Sequence, residues 1–536
     1  RNHARAWGDG HRPHVQSACL RANTVTRLSN LLILVVAFAA AGLALWRLLA
    51  PFDGITVSEA TVGQRTPATV YRPAGEGPAP TVLIAHGFAG SQQLMQPFAL
   101  TLARNGYLAV TFDFLGHGRN PLPLTGDITQ VEGATQNLLD QMADVAAFAR
   151  ALPRSDGRLA LLGHSMASDI IVRFAQQTEE PIVGTVAVSM FAPTITAETP
   201  ENMLVIVGGL EPQPLLDEAK RAVALKSGVS DPPPGEVYGS FADGSARGWR
   251  ISAGVEHIGV LYSQESLTAA RDWLNRSFRR ESQAAAVAWG PWILLLVLAA
   301  AALARPLSSL LPVVRSDPAG AGLGWRRVWP VVLLPAVVTP LILWVLPTDF
   351  LPLLVGDYLA AHFGLYGLLT AFALWYVGRG RDIATQRPPI PRARLALAAA
   401  AVAAYAILAV GLPIDSFFIS FWPIPERLPL IAALFAGTLP FFLADEWLTR
   451  GPDHARGAYP ATKAAFLVSL MAAAGLDLEQ LFFLFIIVPV MVLFFVVFGL
   501  FSRWSYKATG HPAVAGVANA LIFAWAIAVT FPMVQQ

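Results

Sequence analysis

The sequence predicts an α/β fold, a mostly parallel sheet with helices on both faces, joined to an all-α bundle of transmembrane helices. Three observations carry this. Between about Phe52 and Ser282, short β-rich runs alternate with helical patterns, the signature of parallel strands linked by crossover helices. On either side lie apolar runs long enough to cross a hydrocarbon core of roughly 30 Å. The chain is 54% hydrophobic and only 14% charged, with mean hydropathy +0.50, far from ordinary soluble composition.

In chain order, residues 1–27 read as a disordered basic leader. Residues 1–24 are alternatively sequence upstream of a start near Val25, since Arg1 is no initiator and the first methionine is Met95. Residues 28–50 form a transmembrane signal anchor, longer than a signal-peptide core and without a small-residue cleavage site before Pro51. Residues 51–283 form the α/β domain. Its strand-like runs are Thr81 to Ala85, Leu108 to Phe112, Leu159 to Leu162, Val183 to Val188, Met203 to Val207 and Trp249 to Ser252, with helical patterns at Gln92 to Asn105, Glu132 to Ala151 and Gln264 to Phe278.

Residues 284–536 read as a multi-pass domain of about eight helices, near 286–304, 328–346, 352–377, 395–412, 428–444, 463–476, 479–501 and 513–533. Alternate loops are basic. Arg305, Arg315, Arg326 and Arg327 share one; Arg379, Arg381, Arg387, Arg392 and Arg394 another; Arg450, Arg456 and Lys463 a third; Arg503 and Lys507 a fourth. The intervening loops carry only Arg427. The positive-inside rule makes the basic loops cytoplasmic, which places the α/β domain outside the cytoplasm of a cell (inner) membrane. A net charge of +2 with dispersed basic residues excludes nucleic acid as a partner. The single cysteine, Cys19, excludes an internal disulfide and a cysteine-ligated zinc site. The sequence calls for no cofactor and no metal.

The most informative segment is Gly163-His164-Ser165-Met166-Ala167, between the strand at Leu159 to Leu162 and a helix with apolar Ile170, Ile171 and Phe174. A serine on a sharp strand-to-helix turn presents its hydroxyl, and small residues at 163 and 167 let the backbone fold beneath it. Such a hydroxyl needs a base, itself oriented by a third group. Of the domain's histidines, His86, His117, His164 and His257, only His257 follows the serine, on the loop after the last strand. Glu211, just beyond Met203 to Val207, is the expected orienting acid, with Asp217 its rival. The oxyanion donors are expected to be the N–H groups of Met166 and of Phe88, in the loop His86-Gly87-Phe88.

These motifs, together with Asp113-Phe-Leu-Gly-His-Gly118 and Gly209-Leu-Glu-Pro212, make residues 52 to 282 resemble the α/β-hydrolase superfamily. Ala167 stands where the pattern has Gly, and Glu211 where it more often has Asp. The resemblance implies esterase-type chemistry through an acyl-enzyme on a small-molecule, acyl-ester or lipid substrate, and a structural role for His117. Only about fourteen residues separate Val188 from Met203, too few for a helical lid, so the site is predicted to be open. The Pro-Gly-rich excursion at 218–248, with a hairpin around Asp243-Gly244, is a candidate wall of the pocket.

In the bundle the ionisable candidates are Asp357, His362, Asp445, Glu446, Asp477 and Glu479. Asp445-Glu446-Trp-Leu-Thr-Arg450 is faintly similar to the glutamate motif of intramembrane CAAX-type proteases. His511 and Asn519 lie too far apart to complete a metal site, so the segment reads as a helix end. The sequence therefore favours a bilayer-embedded serine hydrolase. Acyl transfer by the same residues and a transporter or sensor with a hydrolase-like binding domain are the alternatives.

Overall fold

The computed structural model describes residues 12–126, 131–379 and 389–535. The first eleven residues of the predicted leader, and Arg381 and Arg387, lie outside them. The first helix, α1, runs Arg12–Leu49, so helical backbone occupies most of what the sequence predicts as a disordered leader. A helix already nucleated in the apolar run adds residues at little further cost.

One sheet of nine strands follows: β1 (Thr56–Val62), β2 (Thr66–Arg72), β3 (Ala79–Ala85), β4 (Leu108–Phe112), β5 (Ser155–His164), β6 (Ile182–Val188), β7 (Met203–Gly208), β8 (Val237–Tyr238) and β9 (Arg247–Ser252), in spatial order β1-β2-β4-β3-β5-β6-β7-β9-β8. From β4 to β9 neighbours pair in parallel; β1 and β2 form an antiparallel hairpin on one edge and β8 closes the other. Strands β3, β4 and β7 are buried along their whole length, as expected for parallel strands covered on both faces. The β1–β2 hairpin is absent from the sequence expectation because β1 (Thr-Val-Ser-Glu-Ala-Thr-Val) is mostly exposed and lacks large apolar residues. The order reverses between β3 and β5, so the loops after these two strands open a crevice at their carboxyl ends, where ligands bind in such sheets.

Helices α3 (Gln136–Arg150), α4 (Met166–Gln177) and α5 (Gln213–Ser227) cover one face, and α2 (Gln96–Arg104) and α6 (Gln264–Ser277) the other. The second core does not end with the sheet. It continues through Val287 and Trp289 to Ala44 and Leu48 of α1 and to Leu296 of α7 (Gly290–Leu307). Beyond α7 come α8 (Trp325–Leu343), α9 (Gly356–Gly378), α10 (Arg392–Tyr405), α11 (Leu412–Phe417), α12 (Leu428–Leu448), α13 (Ala458–Leu476), the short α14 (Leu478–Leu481), α15 (Phe483–Thr509) and α16 (Ala513–Thr530). Counting α10 and α11 as one span, nine helices among the described residues are long and apolar enough to cross a membrane.

One end of this bundle seats the sheet-bearing part. Tyr262 stacks on Phe418, Arg119 pairs with Asp415 at 2.6 Å, and the Ser420 N–H donates to Ser91 Oγ. The chain's last residues act as a strap: Leu124 N–H donates to the Met533 carbonyl, Met533 N–H to the Gly116 carbonyl and Leu354 N–H to the Pro532 carbonyl. Arg427, the lone basic residue of the intervening loops, is buried. Its guanidinium donates to the carbonyls of Ala528, Phe531 and Gly116, so its charge is spent clamping the two parts together.

At the far end of α12, Asp445 and Glu446 are buried rather than emerging into water. Asp445 pairs with Lys463 and Glu446 with Arg450, and Ser502 bridges the second pair. The sequence reading of a helix end holds for their position in the last turn of α12. Their burial comes from Lys463 on α13 and Arg450 on the loop between α12 and α13, packed against the rings of Tyr459 and Tyr506.

Candidate active site

Strand β5 delivers its chain to a turn that strains one residue. Ser165 has φ 53° and ψ −118°, outside the regions open to a non-glycine residue without cost. The strain is held by neighbours on both sides. Ser165 N–H donates to the Val188 carbonyl, and the Ser165 carbonyl accepts from Ser168 N–H. A Cβ at Gly163 would lie 2.7 Å from the Ala167 carbonyl oxygen, which is why position 163 needs glycine. Ala167 is buried at the start of α4; its one methyl group is accommodated.

The geometry gathers three side chains from separate loops. His257 Nε2 lies 3.0 Å from Ser165 Oγ, and His257 Nδ1 lies 3.3 Å from Glu211 Oε2. The Glu211 side chain is fully buried while that of His257 is 22% exposed. The other Glu211 oxygen accepts from Ser189 Oγ at 2.6 Å and from Gly208 N–H at 2.9 Å. Asp217, the rival acid, is exposed in α5 and accepts from Gln213 instead. With its acceptor on Nδ1–H, His257 turns a bare Nε2 toward the serine hydroxyl, the tautomer a general base requires.

The loop after β3 lies against the turn. A Cβ at Gly87 would come within 2.9 Å of Ser165 Cβ, so only glycine permits this approach. His86 fixes the loop, its Nδ1–H donating to the Gly87 carbonyl and its Nε2 accepting from Phe114 N–H. Burial lowers the His86 pKa and holds the ring neutral. The Phe88 N–H and the Met166 N–H, at the first position of α4, have no hydrogen-bond acceptor among the described residues. A free donor at a helix start beside a partly exposed serine hydroxyl suits a negatively charged oxygen.

Two residues the sequence reading gave no part here support the site. Ser189 holds Glu211, and nothing local in the sequence marks it, because it meets the carboxylate across 22 residues. The His164 ring packs beside that of His257, with centroids 4.8 Å apart, and its Nε2–H donates to the His257 carbonyl at 3.0 Å, pinning the histidine's loop. Burial pushes the His164 pKa well down, so this donor stays a neutral imidazole. His117 lies under the loop, bonding the Leu115 carbonyl and packing edge-on against Phe88; burial lowers its pKa to about 3.

The mouth differs from the open site predicted. The segment between β6 and β7 holds no helix, and Ser165 and His257 are partly exposed. One wall nevertheless comes from the bundle, where Phe483 of α15 stacks on Phe88 with ring centroids 3.8 Å apart. Of the 218–248 excursion, the first ten residues belong to α5 and the rest runs along the outer edge of the sheet, with Trp249 Nε1–H donating to the Pro232 carbonyl and β8 pairing with β9.

Residues 76–211 match the family model described as serine aminopeptidase, S33. No curated protein matches the chain. Similar solved structures include a predicted CIB-like hydrolase from Thermoplasma acidophilum (15% identity, covering 41% of this chain and 99% of that one, TM-score 0.33). An esterase from Pyrobaculum calidifontis (16%, 46% and 93%, 0.32) and a membrane phospholipase A described as a bacterial virulence factor (14%, 49% and 97%, 0.30) are others. The family match, the strand order and the strained serine turn together make the sheet-bearing part an α/β-hydrolase fold, fused to a set of long apolar helices.

Proposed function

We propose that the protein is a membrane-embedded serine hydrolase that cleaves an ester by an acyl-enzyme route. Ser165 Oγ attacks the acyl carbon and its proton passes to His257 Nε2. Glu211 keeps Nδ1–H in place and stabilises the imidazolium. The Phe88 and Met166 N–H groups receive the negative oxygen. Collapse expels the alcohol, which takes the proton from His257; water then adds by the same path and releases the acid. The single observation supporting this most is the 3.0 Å contact of His257 Nε2 with Ser165 Oγ on a turn that strains only the serine.

The hydrolase part is assigned to the outside of the cytoplasm. The bundle ends that seat it, 411–427, 477–483 and 531–535, carry no basic residue but the buried Arg427, whereas the opposite ends carry Arg305, Arg326, Arg394, Arg456 and Arg503. A membrane-impermeant fluorophosphonate tests both statements at once. It is expected to label the protein on intact cells with the outer envelope removed, and to leave Ser165→Ala unlabelled. Labelling retained in Ser165→Ala rejects the nucleophile, and labelling that requires lysis rejects the orientation.

A further inference from the structure

The bundle does more than hold the hydrolase part in place; it contributes a wall to the mouth of the site. Phe483 lies face to face with Phe88, whose N–H is one of the two free donors beside Ser165. Across the opening stand two large apolar side chains with little reason to face water. Phe191 is 64% exposed and Leu210 is 66% exposed. Both are close to the reacting groups: Phe191 N–H donates to Ser168 Oγ, which donates to the Ser165 carbonyl, and Leu210 adjoins Glu211.

From Phe483 ring contacts pass round the start of the helix to Phe482 at 6.0 Å and on to Phe485 at 6.5 Å. Phe482, Phe485, Leu493, Val496 and Leu500 are exposed and recur at spacings of three, four or twice four residues, which places them on one side of α15. This stripe starts at Phe482, one ring removed from the Phe483–Phe88 stack, and descends a helix apolar enough to cross a membrane. An exposed apolar surface continuous with a reaction site marks the path of an apolar ligand.

We infer that α15 guides the acyl chain of a bilayer-held long-chain ester to Ser165, with the stacked rings of Phe483 and Phe88 forming the wall against which the chain lies next to the carbonyl. The inference rests on Ser165 being the nucleophile. Each methylene moved from water into the bilayer favours partition roughly fourfold, which concentrates long-chain esters beside α15, so the protein is expected to prefer long acyl chains. Phe483 sets that preference without touching the reacting atoms.

The test uses the full chain reconstituted in phosphatidylcholine vesicles, comparing kcat/KM for p-nitrophenyl palmitate with that for p-nitrophenyl acetate. The palmitate-to-acetate ratio is expected to fall at least tenfold in Phe483→Ser and to stay within threefold of wild type in Phe483→Leu. Leu368→Ala, on an exposed position of α9, is expected to leave it unchanged. A wild-type protein indifferent to chain length, or a Phe483→Ser variant that loses both substrates equally, overturns the inference. A second arm needs no turnover. A palmitoyl ester with a photoreactive group at the chain end, added to Ser165→Ala in the same vesicles, is expected to attach to the segments around Phe88 and Phe482. Attachment confined to other helices overturns the path even if Ser165 is the nucleophile. Attachment at Phe88 in a protein that hydrolyses no ester would leave the path standing and reject the triad instead.

Discussion

Two buried glutamates in this chain have nearly the same immediate surroundings and opposite prospects. Glu211 accepts a serine hydroxyl on one oxygen and faces a histidine with the other. Glu446 accepts the Ser502 hydroxyl on one oxygen and an Arg450 N–H on the other. The difference lies where each series of contacts ends. From Glu211 it passes through a partly exposed His257 to the partly exposed Ser165 hydroxyl. From Glu446 it closes on itself, because Arg450 also donates to Ser502 and lies between the rings of Tyr459 and Tyr506. A buried charge is costly in either place. Only the first arrangement directs that cost at a group a substrate can reach.

The largest expected effect comes from breaking the open arrangement. Glu211→Gln keeps an acceptor for Ser189 and nearly the same volume, but its amide can turn an N–H toward His257 and disfavour the required tautomer. A fall in kcat of about 10⁴-fold is expected on a soluble ester, with the thermal unfolding midpoint checked in parallel. Activity within tenfold of wild type in a folded protein would remove Glu211 from the orienting role and erase the contrast with Glu446.

Next comes the support behind that carboxylate. Ser189→Ala deletes one hydroxyl donor to a charged group, worth about 1.5–3 kcal/mol, so kcat is expected to fall by about 10- to 100-fold with little change in KM. Ser189→Thr, which restores a donor, is expected to recover most of it. An unaltered kcat in Ser189→Ala would mean that Gly208 N–H alone holds Glu211.

Ser189 also illustrates what the sequence left unread. The serine turn is legible because its demands are local: a glycine where a Cβ would strike a carbonyl, and a strand running directly into a helix. His257 and Glu211 are legible because strand order puts their loops at the same end of the sheet. Ser189 and Phe483 are not, since each acts on a residue distant in sequence and neither sits in a pattern with period 2 or 3.6. The β1 strand escaped for a different reason, because a partly exposed edge strand of small and polar residues has no apolar face to announce it. The shared core running from Trp273 through Trp289 to Leu48 was also hidden. Composition changes sharply near residue 283, yet side-chain packing does not.

The smallest effect on catalysis, and the one that isolates the contrast, is expected from Glu446→Gln. Neutralising this carboxylate strands a buried Arg450, and breaking one side of a buried pair costs about 3–5 kcal/mol. The thermal midpoint is therefore expected to drop by several degrees, while kcat measured well below that midpoint stays within twofold. Replacing both partners, Glu446→Gln with Arg450→Met, removes the stranded charge and is expected to regain most of the midpoint. If Glu446→Gln instead abolished turnover in a protein that remained folded, the closed pair would be coupled to Ser165 across the bundle. The two glutamates would then belong to one machine rather than to a site and its scaffold.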